Sequence, residues 1–275
     1  MDRAGYGSLN MNRLRNLFEK VRPRMTPSIV VIGAQKAGTT ALFSILAAHP
    51  KAARPKEKEL HFFSDDAEYA KGMERYREMF PAIPARSFGH FTFEASPGYL
   101  IHAGRSAPRI AEHLPNAICV AILRDPVLRA FSAWNMFRDF KGDSRWGHLH
   151  DPRSFAQAVE DELAGRTNEP AHLYLARGRY ADQIAAYQEH LGPGRLRVYG
   201  YPLFKQDPAG VVADICQAIG QEALPKEHRA FALRSNKRTY VNRLDPGLAD
   251  ELQRYFAPEL KKLAHVLGRE LDLSE

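Results

Sequence analysis

The sequence has few cysteines and no long hydrophobic run. Its two cysteines, Cys119 and Cys216, lie in apolar stretches, which favours buried free thiols over a disulfide bond. No apolar stretch approaches the ~20 residues that a membrane-spanning helix needs. No apolar core typical of a signal peptide precedes Ser28. We therefore expect a soluble, cytoplasmic protein without a transmembrane segment.

The histidines and the overall composition indicate no special class of protein. The 11 histidines, including His148 and His150, show none of the spacings typical of zinc ligands, so we expect no metal site. The sequence contains no repeat or low-complexity stretch, and 44% hydrophobic and 26% charged residues are ordinary for a globular chain. No domain boundary stands out in the 275 residues, and we assign residues 26–275 to a single domain.

Positive charge is concentrated near the N-terminus. The net charge is +7, and residues 1–25 hold six basic and two acidic side chains. The rest of the chain is close to neutral, which argues against a nucleic-acid-binding protein with a basic face. Residues 1–25 form a basic arm in this interpretation. A solvated or packing arm is the more ordinary explanation, and peripheral contact with a membrane or partner is the alternative.

Short apolar runs alternate with segments of helical periodicity. The runs predict strands at about 29–33, 91–94, 117–123 and 195–199. The periodic segments predict helices at about 39–48, 69–79, 106–113, 127–140, 154–164, 178–191, 208–220 and 246–267. This alternation indicates an α/β fold with a mainly parallel sheet and helices on both faces.

Residues 33–40, with the sequence GAQKAGTT, are the most informative segment. They join a predicted strand to a predicted helix, which is the setting of a phosphate-binding loop, and the N–H groups at a helix N-terminus attract an anion. The glycine spacing fits GxxxxGK[ST], but Thr39 stands where nucleotide hydrolases have lysine, and the lysine lies earlier, at Lys36. The loop therefore predicts phosphate binding without implying a γ-phosphate or Mg²⁺.

A second candidate anion site follows the apolar run at 117–123. Arg124 comes next, Asp125 suits the N-cap of the following helix, and Pro126 suits its first position. Arg124 is then expected at the carboxyl end of a strand, where open α/β sheets bind ligands. Alone, the Arg124–Asp125 pair is better explained by a local salt bridge. Beside a phosphate loop on a neighbouring strand, a phosphate-binding arginine becomes the better interpretation.

Together these two segments, GAQKAGTT and RDPVLRAFSAW, resemble the signature of sulfotransferases that use 3′-phosphoadenosine 5′-phosphosulfate (PAPS). Residues 58–63 (KELHFF) and 94–99 (EASPGY) resemble the heparan-sulfate (glycosaminoglycan) branch of that family. The match covers about residues 28–140 and continues more weakly through residues 177–180 to the last predicted helix. The resemblance implies a P-loop-like three-layer fold with a central, mainly parallel sheet flanked by helices. It also implies transfer of a sulfuryl group from PAPS by in-line displacement, without a metal.

The resemblance carries donor-binding roles onto particular residues. The 5′-phosphosulfate is expected at Gln35, Lys36, Ala37, Gly38, Thr39 and Thr40, and the 3′-phosphate at Arg124 and Ser132. It also explains the displaced lysine, because Lys36 can neutralise charge on the leaving phosphate of the product, adenosine 3′,5′-bisphosphate (PAP). In the family a late loop closes over the phosphates. Here Asn236, Lys237 and Arg238 are weakly matching candidates, and a solvated loop is the alternative.

A transferase of this kind needs a group that takes the proton of the acceptor. Glu59 and His61 alternate in what we expect to be an extended segment, so both side chains can face one cleft. Periodicity alone favours a charged surface run at 56–59. The resemblance reverses that choice, because Glu59 matches the general base of the heparan-sulfate branch and His61 its neighbouring histidine.

The acceptor is the least defined part of the prediction. Glu94, Ser96, Pro97 and Tyr99 follow a predicted strand and are expected to contact donor or acceptor, and residues 140–153 form either a lid or an ordinary surface loop. The family often has lysine at the position of Ala95, which argues against the same handling of an anionic polysaccharide. A carbohydrate or small-molecule hydroxyl is therefore expected as acceptor, and an amine is the second choice.

Two other functions remain open at this point. One is a P-loop nucleotide kinase or hydrolase with an atypical loop, against which the displaced lysine and the absence of a metal-binding motif count. The other is a non-catalytic PAP-binding protein, against which the joint presence of Lys36, Glu59 and His61 counts.

Overall fold

The computed structural model of the chain describes residues 22–83, 89–232 and 242–275. Within those ranges the strands are β1 (Ile29–Gly33), β2 (Ala52–Ala53), β3 (Phe91–Ala95), β4 (Ile118–Leu123) and β5 (Leu196–Gly200). They form one parallel sheet in the order β2-β3-β1-β4-β5. All residues of β1, β3 and β4 are buried, as expected for strands covered on both faces.

Helices connect and cover these strands. In chain order they are α1 (Thr39–Ala47), α2 (Asp66–Tyr69), α3 (Gly72–Arg77), α4 (Gly98–Ile101), α5 (Ala103–His113), α6 (Pro126–Arg138), α7 (Phe155–Leu163), α8 (Tyr180–His190), α9 (Tyr201–Gln206), α10 (Pro208–Ala218) and α11 (Pro246–Leu267). On the described helices no stretch is both long and apolar enough to cross a membrane.

The strand order places the ends of three neighbouring strands side by side. β1 lies between β3 and β4, with Val31 opposite Ala95 of β3 and Gly33 opposite Ala121 of β4. Because the three strands are parallel, the segments that follow them emerge at the same edge of the sheet. Open α/β sheets bind ligands at this edge. The phosphate loop, residues 96–98 and Arg124 are therefore brought together by the topology.

Most predicted elements agree with the structure, and the differences have local causes. The helix predicted at 69–79 is divided into α2 and α3, because Gly72 has a left-handed backbone with φ of 83°. The sequence analysis missed β2, which has two residues, and α4 and α9, which have four and six. Segments this short carry too little periodicity to be detected.

A second apolar cluster lies beside the main core. The main core surrounds the sheet, while the second cluster is formed by α6, α7, the segment at Tyr174 and Leu175, and the first half of α11. Leu252 and Phe256 of α11 belong to the second cluster and Leu263 to the first. Helix α11 therefore packs against both clusters and supports the wall from which Phe137 lines the site described next.

Candidate active site

A cleft of about 570 Å³ opens at the carboxyl edge of the sheet. Its walls include residues of the phosphate loop after β1, Pro97 and Gly98 after β3, and Arg124 after β4. The cleft also contains Glu59 and His61. Three separately predicted groups of residues, namely the phosphate loop, the second anion site and the base segment, thus face one cavity. Its volume is in the range typical of small-molecule sites.

The phosphate loop leads into α1 with an open helix N-terminus. Gly38 is the N-cap with φ of 88°, and no side chain caps the helix there. A Cβ at Gly38 would lie 3.1 Å from the rings of Tyr201 and Phe204, so both conformation and packing favour glycine. Uncapped N–H groups at a helix N-terminus are suited to bind phosphate oxygens.

Most of the predicted loop residues line the cleft. Gln35, Lys36, Gly38, Thr39 and Thr40 do so, whereas Ala37 is fully buried behind them and can offer only its backbone. The buried Gln35 Oε1 atom has no hydrogen-bond partner. An orphaned polar atom in an uncapped loop fits a polar ligand at this position.

Lys36 and Arg124 connect the two predicted anion sites. The backbone of Lys36 is left-handed, with φ of 68°, and its carbonyl accepts a hydrogen bond from Arg124 Nη1 at 3.2 Å. Asp125 is the N-cap of α6 and accepts from the Leu128 N–H at 2.8 Å, and Pro126 is the first helical residue, as predicted. Cap and proline together fix the point where Arg124 leaves the strand.

Arg124 has a partner that the sequence did not reveal. Its Nε donates to Glu275 Oε1 at 2.5 Å and its Nη2 to Glu275 Oε2 at 3.1 Å. The side chains are 16% and 12% exposed, so this bidentate pair is partly shielded from water. Ser132 lines the same cleft from α6. A phosphate group has the charge and the paired oxygens of the carboxylate that Arg124 binds here.

The predicted base segment enters the cleft, but it is not extended. Glu59 and His61 both have left-handed backbone, with φ of 64° and 53°, which corrects the expectation of a strand-like segment. Lys58 Nζ donates to Glu59 Oε1 at 2.6 Å and to Thr40 Oγ1 at 3.1 Å. Lys58 therefore ties the predicted base to the phosphate loop. Sequence reasoning had placed it in a charged run without a role.

His61 lies beside Glu59 at the cleft. Its Nε2 is 3.9 Å from Glu59 Oε2. Burial lowers the pKa of His61, which the charge of Glu59 opposes and that of Arg177 reinforces. A Cβ at Gly98 would lie 3.2 Å from the imidazole ring, so glycine at this position leaves the ring its space.

Backbone hydrogen bonds dock the base segment onto the residues after β3. The Glu59 N–H donates to the Ala95 carbonyl at 3.0 Å, the His61 N–H to Ser96 Oγ at 3.2 Å, and the Phe63 N–H to the Tyr99 hydroxyl at 3.3 Å. Every second N–H of the segment is thus held by residues 95–99. This docking fixes where the side chains of Glu59 and His61 project.

Glu94, Ser96 and Tyr99 lie beneath the cleft rather than in its wall. All three are fully buried, which corrects the prediction that they contact a substrate; Pro97 alone of that set lines the cleft. Glu94 accepts hydrogen bonds from the Tyr76 hydroxyl at 2.5 Å, from Ser96 Oγ at 2.9 Å and from the Tyr99 hydroxyl. The buried carboxylate therefore orients the two hydroxyls that dock the base segment.

The protonation of Glu94 is set by opposing effects. Burial raises the pKa of this carboxyl, and the hydrogen bonds from Tyr76, Tyr99 and Ser96 counteract part of that rise. Its closed set of donors leaves it a structural rather than a catalytic acid.

The family model of the sulfotransferase domain matches residues 26–247. The chain belongs to the sulfotransferase family. The resemblance drawn from the two motifs is therefore confirmed, as is the α/β fold with its central parallel sheet.

Individual sulfotransferases resemble the chain at moderate identity. Human bifunctional heparan sulfate N-deacetylase/N-sulfotransferase 3 is 27% identical over 92% of this chain and 31% of its own length. Mouse heparan sulfate glucosamine 3-O-sulfotransferase 3B1 is 26% identical over 75% of the chain and 49% of its own length. The chain thus spans a third to a half of these relatives. The crystal structure of a sulfotransferase from Alicyclobacillus acidocaldarius is 27% identical, with a TM-score of 0.70, and the match covers 90% of this chain and 97% of that one.

The remaining wall of the cleft comes from the segment that was predicted to be a lid or a surface loop. Phe140, Trp146 and Leu149 of that segment line the cleft. The rings of Phe140 and Trp146 stack with centroids 6.3 Å apart. Asp151 is fully buried and accepts from Arg153 and from Tyr174, which anchors the end of the segment to the second cluster. Residues 140–153 therefore form part of the cavity wall.

Sequence reasoning missed several other residues of the cleft, among them His102 and Arg177. His102 precedes α5 and Arg177 lies in the short 3-10 helix at Ala176–Gly178, and both line the cavity. The sequence offered a signal only for Arg177, which lies in the weakly matching stretch at 177–180. The candidates Asn236, Lys237 and Arg238 and most of the basic arm fall outside the described residues. Among the described residues, no group of three or more His, Cys, Asp or Glu side chains could hold a metal ion.

Proposed function

We propose that the protein transfers the sulfuryl group of PAPS to a hydroxyl, or secondarily to an amine, of an acceptor bound in this cleft. The observation that carries the proposal is the meeting of the phosphate loop, Arg124 and Glu59 in one cavity. Membership in the sulfotransferase family supports the reaction type. The same membership counts against a nucleotide kinase or hydrolase.

The residues of the chain divide into donor and proton-handling groups. The uncapped N-terminus of α1, with Thr39 and Thr40, would bind the 5′-phosphosulfate, and Arg124 with Ser132 would bind the 3′-phosphate. The donor supplies the activated sulfuryl group. Lys36 is positioned in the loop to stabilise the negative charge that develops on the leaving phosphate oxygen. These groups need no metal ion to offset charge.

Glu59 is the side chain that we assign to take the acceptor proton. It lines the cleft, is 43% exposed and therefore accessible, and its position is fixed by docking on Ala95. His61 is the second candidate, and burial, the main cause of its lowered pKa, favours the neutral imidazole, which is the form that can accept a proton. A positioned base of either type is worth ~10²–10⁴ in rate.

The names of the relatives support an acceptor class, but not a particular acceptor. Those relatives are named for heparan sulfate, and both N- and O-sulfotransferases are among them. We therefore propose a carbohydrate or a small molecule as acceptor, with a hydroxyl as the first choice of reacting group and an amine as the second.

Transfer from PAPS can be tested directly. Purified protein is incubated with PAPS and a mixed panel of phenols, sugars and amines, and PAP release and sulfated products are quantified together. We expect acceptor-dependent PAP release that falls by ~10²-fold or more in Glu59→Gln. Glu57→Gln is the matched control, because Glu57 lies in the same charged run, is exposed and does not line the cleft. Release of PAP that is independent of any acceptor, or an equal loss in both variants, would contradict the proposal.

A further inference from the structure

The part of the cleft away from the phosphate loop combines an aromatic wall with a single arginine. Met136, Phe137, Phe140, Trp146 and Leu149 supply the apolar wall. Trp146 is 41% exposed although it is one of the largest apolar side chains. The Arg145 guanidinium lies 4.8 Å from the centroid of the Trp146 ring. The apolar wall that the partly exposed indole forms with the Phe140 ring is suited to contact with a ligand ring.

Arg177 lines the same cavity and has unused hydrogen-bonding capacity. Its Nε is buried without a partner, and its Nη2 makes a single contact of 3.3 Å with the Pro170 carbonyl. Among the residues that the structure describes, no carboxylate lies within ion-pair distance of it. Burial lowers the pKa of Arg177 to about 10, and the like charge of Arg129 contributes to the shift. A desolvated guanidinium with an unpaired N–H is costly unless an anion satisfies it.

The charges around Arg177 favour one anionic group rather than many. Burial lowers the pKa of both His61 and His102, and the charge of Arg177 lowers both further, together with Lys58 at His61 and Arg105 at His102. Asp65 also lines the cavity, and its carboxylate caps α2 by accepting from two N–H groups. The charge of Glu162 also acts on Arg177. The carboxylates of Asp65 and Glu162 would repel further anionic groups of a polyanionic chain.

We propose that the acceptor is a small ring compound that carries one carboxylate, which pairs with Arg177 while the ring lies against Phe140 and Trp146. This inference rests on the proposed function, because it names the acceptor of the same cleft. The acceptor hydroxyl oxygen forms the new bond to sulfur and its proton passes to Glu59. The bond between sulfur and the 5′-phosphate oxygen of PAPS breaks, and its electron pair leaves with PAP.

The test uses pairs of acceptors of nearly the same shape, one charged and one neutral. 4-Hydroxybenzoate and 6-hydroxy-2-naphthoate, which differ in the distance from hydroxyl to carboxylate, are each compared with their neutral amide. We expect kcat/KM to favour at least one carboxylate over its amide by tenfold or more. Arg177→Met should lower kcat/KM for that carboxylate by about 10- to 150-fold, the scale of charge-assisted hydrogen bonds, and leave the amide within about twofold.

Controls separate an acceptor contact from a structural role. Arg179→Met is the matched control, because the Arg179 side chain is 57% exposed and lies two residues away along the chain. This variant should leave kcat/KM unchanged for both the carboxylate and the amide. PAP binding by calorimetry should be unchanged in Arg177→Met. If the wild-type protein does not bind PAP, the proposed function itself is wrong, and the acceptor assignment falls with it.

Three results would overturn the inference. One is equal use of the carboxylates and amides by the wild-type protein, and another is an equal loss for both in Arg177→Met. The third is a preference for a glucuronic-acid-containing oligosaccharide over both aryl acids. If neither aryl acid is sulfated, calorimetry on the PAP-saturated protein compares the binding of each acid with that of its amide. Equal affinity for the acid and the amide would refute the assignment as well.

Discussion

The Glu275 carboxylate is paired with the guanidinium of Arg124, which we assign to the 3′-phosphate. Glu275 should therefore compete with the donor nucleotide for Arg124. Both Glu275 oxygens accept from Arg124, and the pair is only 16% and 12% exposed. A nucleotide that uses Arg124 must first displace this carboxylate. Exposed ion pairs contribute up to about 1 kcal/mol, and the partial shielding here places this pair near the upper end. Glu275→Gln should therefore tighten PAP binding by roughly fivefold.

Arg124→Ala should act in the opposite direction. Loss of a charge-assisted hydrogen bond to phosphate costs about 1.5–3 kcal/mol, which is roughly 10- to 150-fold in Kd. Adenosine 5′-phosphate lacks the 3′-phosphate, so its affinity should change little in either variant. Titration calorimetry with both nucleotides, on the two single variants and the double variant, measures all of these effects.

The double variant tests the reasoning most directly. If Glu275 acts through Arg124, the gain from Glu275→Gln should be largely lost once Arg124 is alanine. A gain of the same size in both backgrounds would show that Glu275 acts only as a nearby negative charge. Weaker PAP binding in Glu275→Gln, or equal losses of PAP and adenosine 5′-phosphate in Arg124→Ala, would refute the assignment of the 3′-phosphate site.

Three further predictions concern the chemical step, the metal and the buried carboxylate. The Lys36→Ala and Glu59→Gln variants should fold normally but transfer sulfate slowly in a single turnover, and Glu59→Gln should still bind PAP. If Glu59→Gln transfers sulfate at the wild-type rate while His61→Ala is inactive, His61 is the base instead. Activity should survive excess chelator, and strict Mg²⁺ dependence with ATP as preferred ligand would contradict this. Burial raises the pKa of Glu94 in the folded protein. Between the ordinary and the raised pKa, the unfolded chain therefore binds fewer protons than the folded protein. The free energy of unfolding should fall as the pH rises through that window. Denaturant titrations of Glu94→Gln should lack this fall, whereas the exposed control Glu251→Gln should keep it.

The parts of the site that follow local rules were predictable from sequence. The phosphate loop is a strand, a glycine turn and a helix in one continuous stretch, and the Arg124 segment is a strand followed by a capping aspartate and a first-turn proline. Each signal lies within about ten residues. The parallel sheet then brings the two stretches to one edge without further information from side chains.

The parts that depend on contacts between distant residues were not predictable. Its position after a predicted strand suggested that Glu94 opens into the cleft. The residue instead belongs to β3, which is covered on both faces, and its carboxylate is satisfied by hydroxyls from Tyr76 and Tyr99. Arg177 and the aromatic wall are carried by segments whose neighbouring residues Phe140, Leu149 and Leu175 pack in or against the second cluster. A single sequence contains no local pattern that reports such packing.

Backbone strain gives an independent reason to regard the Glu59 segment as functional. A charged surface run could adopt any conformation, yet Glu59 and His61 both occupy the left-handed region, as does Lys36 in the phosphate loop. Each such residue costs on the order of 1–3 kcal/mol and persists only where the surrounding structure imposes it. Here the three docking hydrogen bonds to residues 95–99 impose it, and the buried Glu94 holds two of the acceptors in place. The fold accepts this cost twice within three residues and supports it with a buried carboxylate. It thereby fixes in the cleft the two side chains to which we assign the proposed proton transfer.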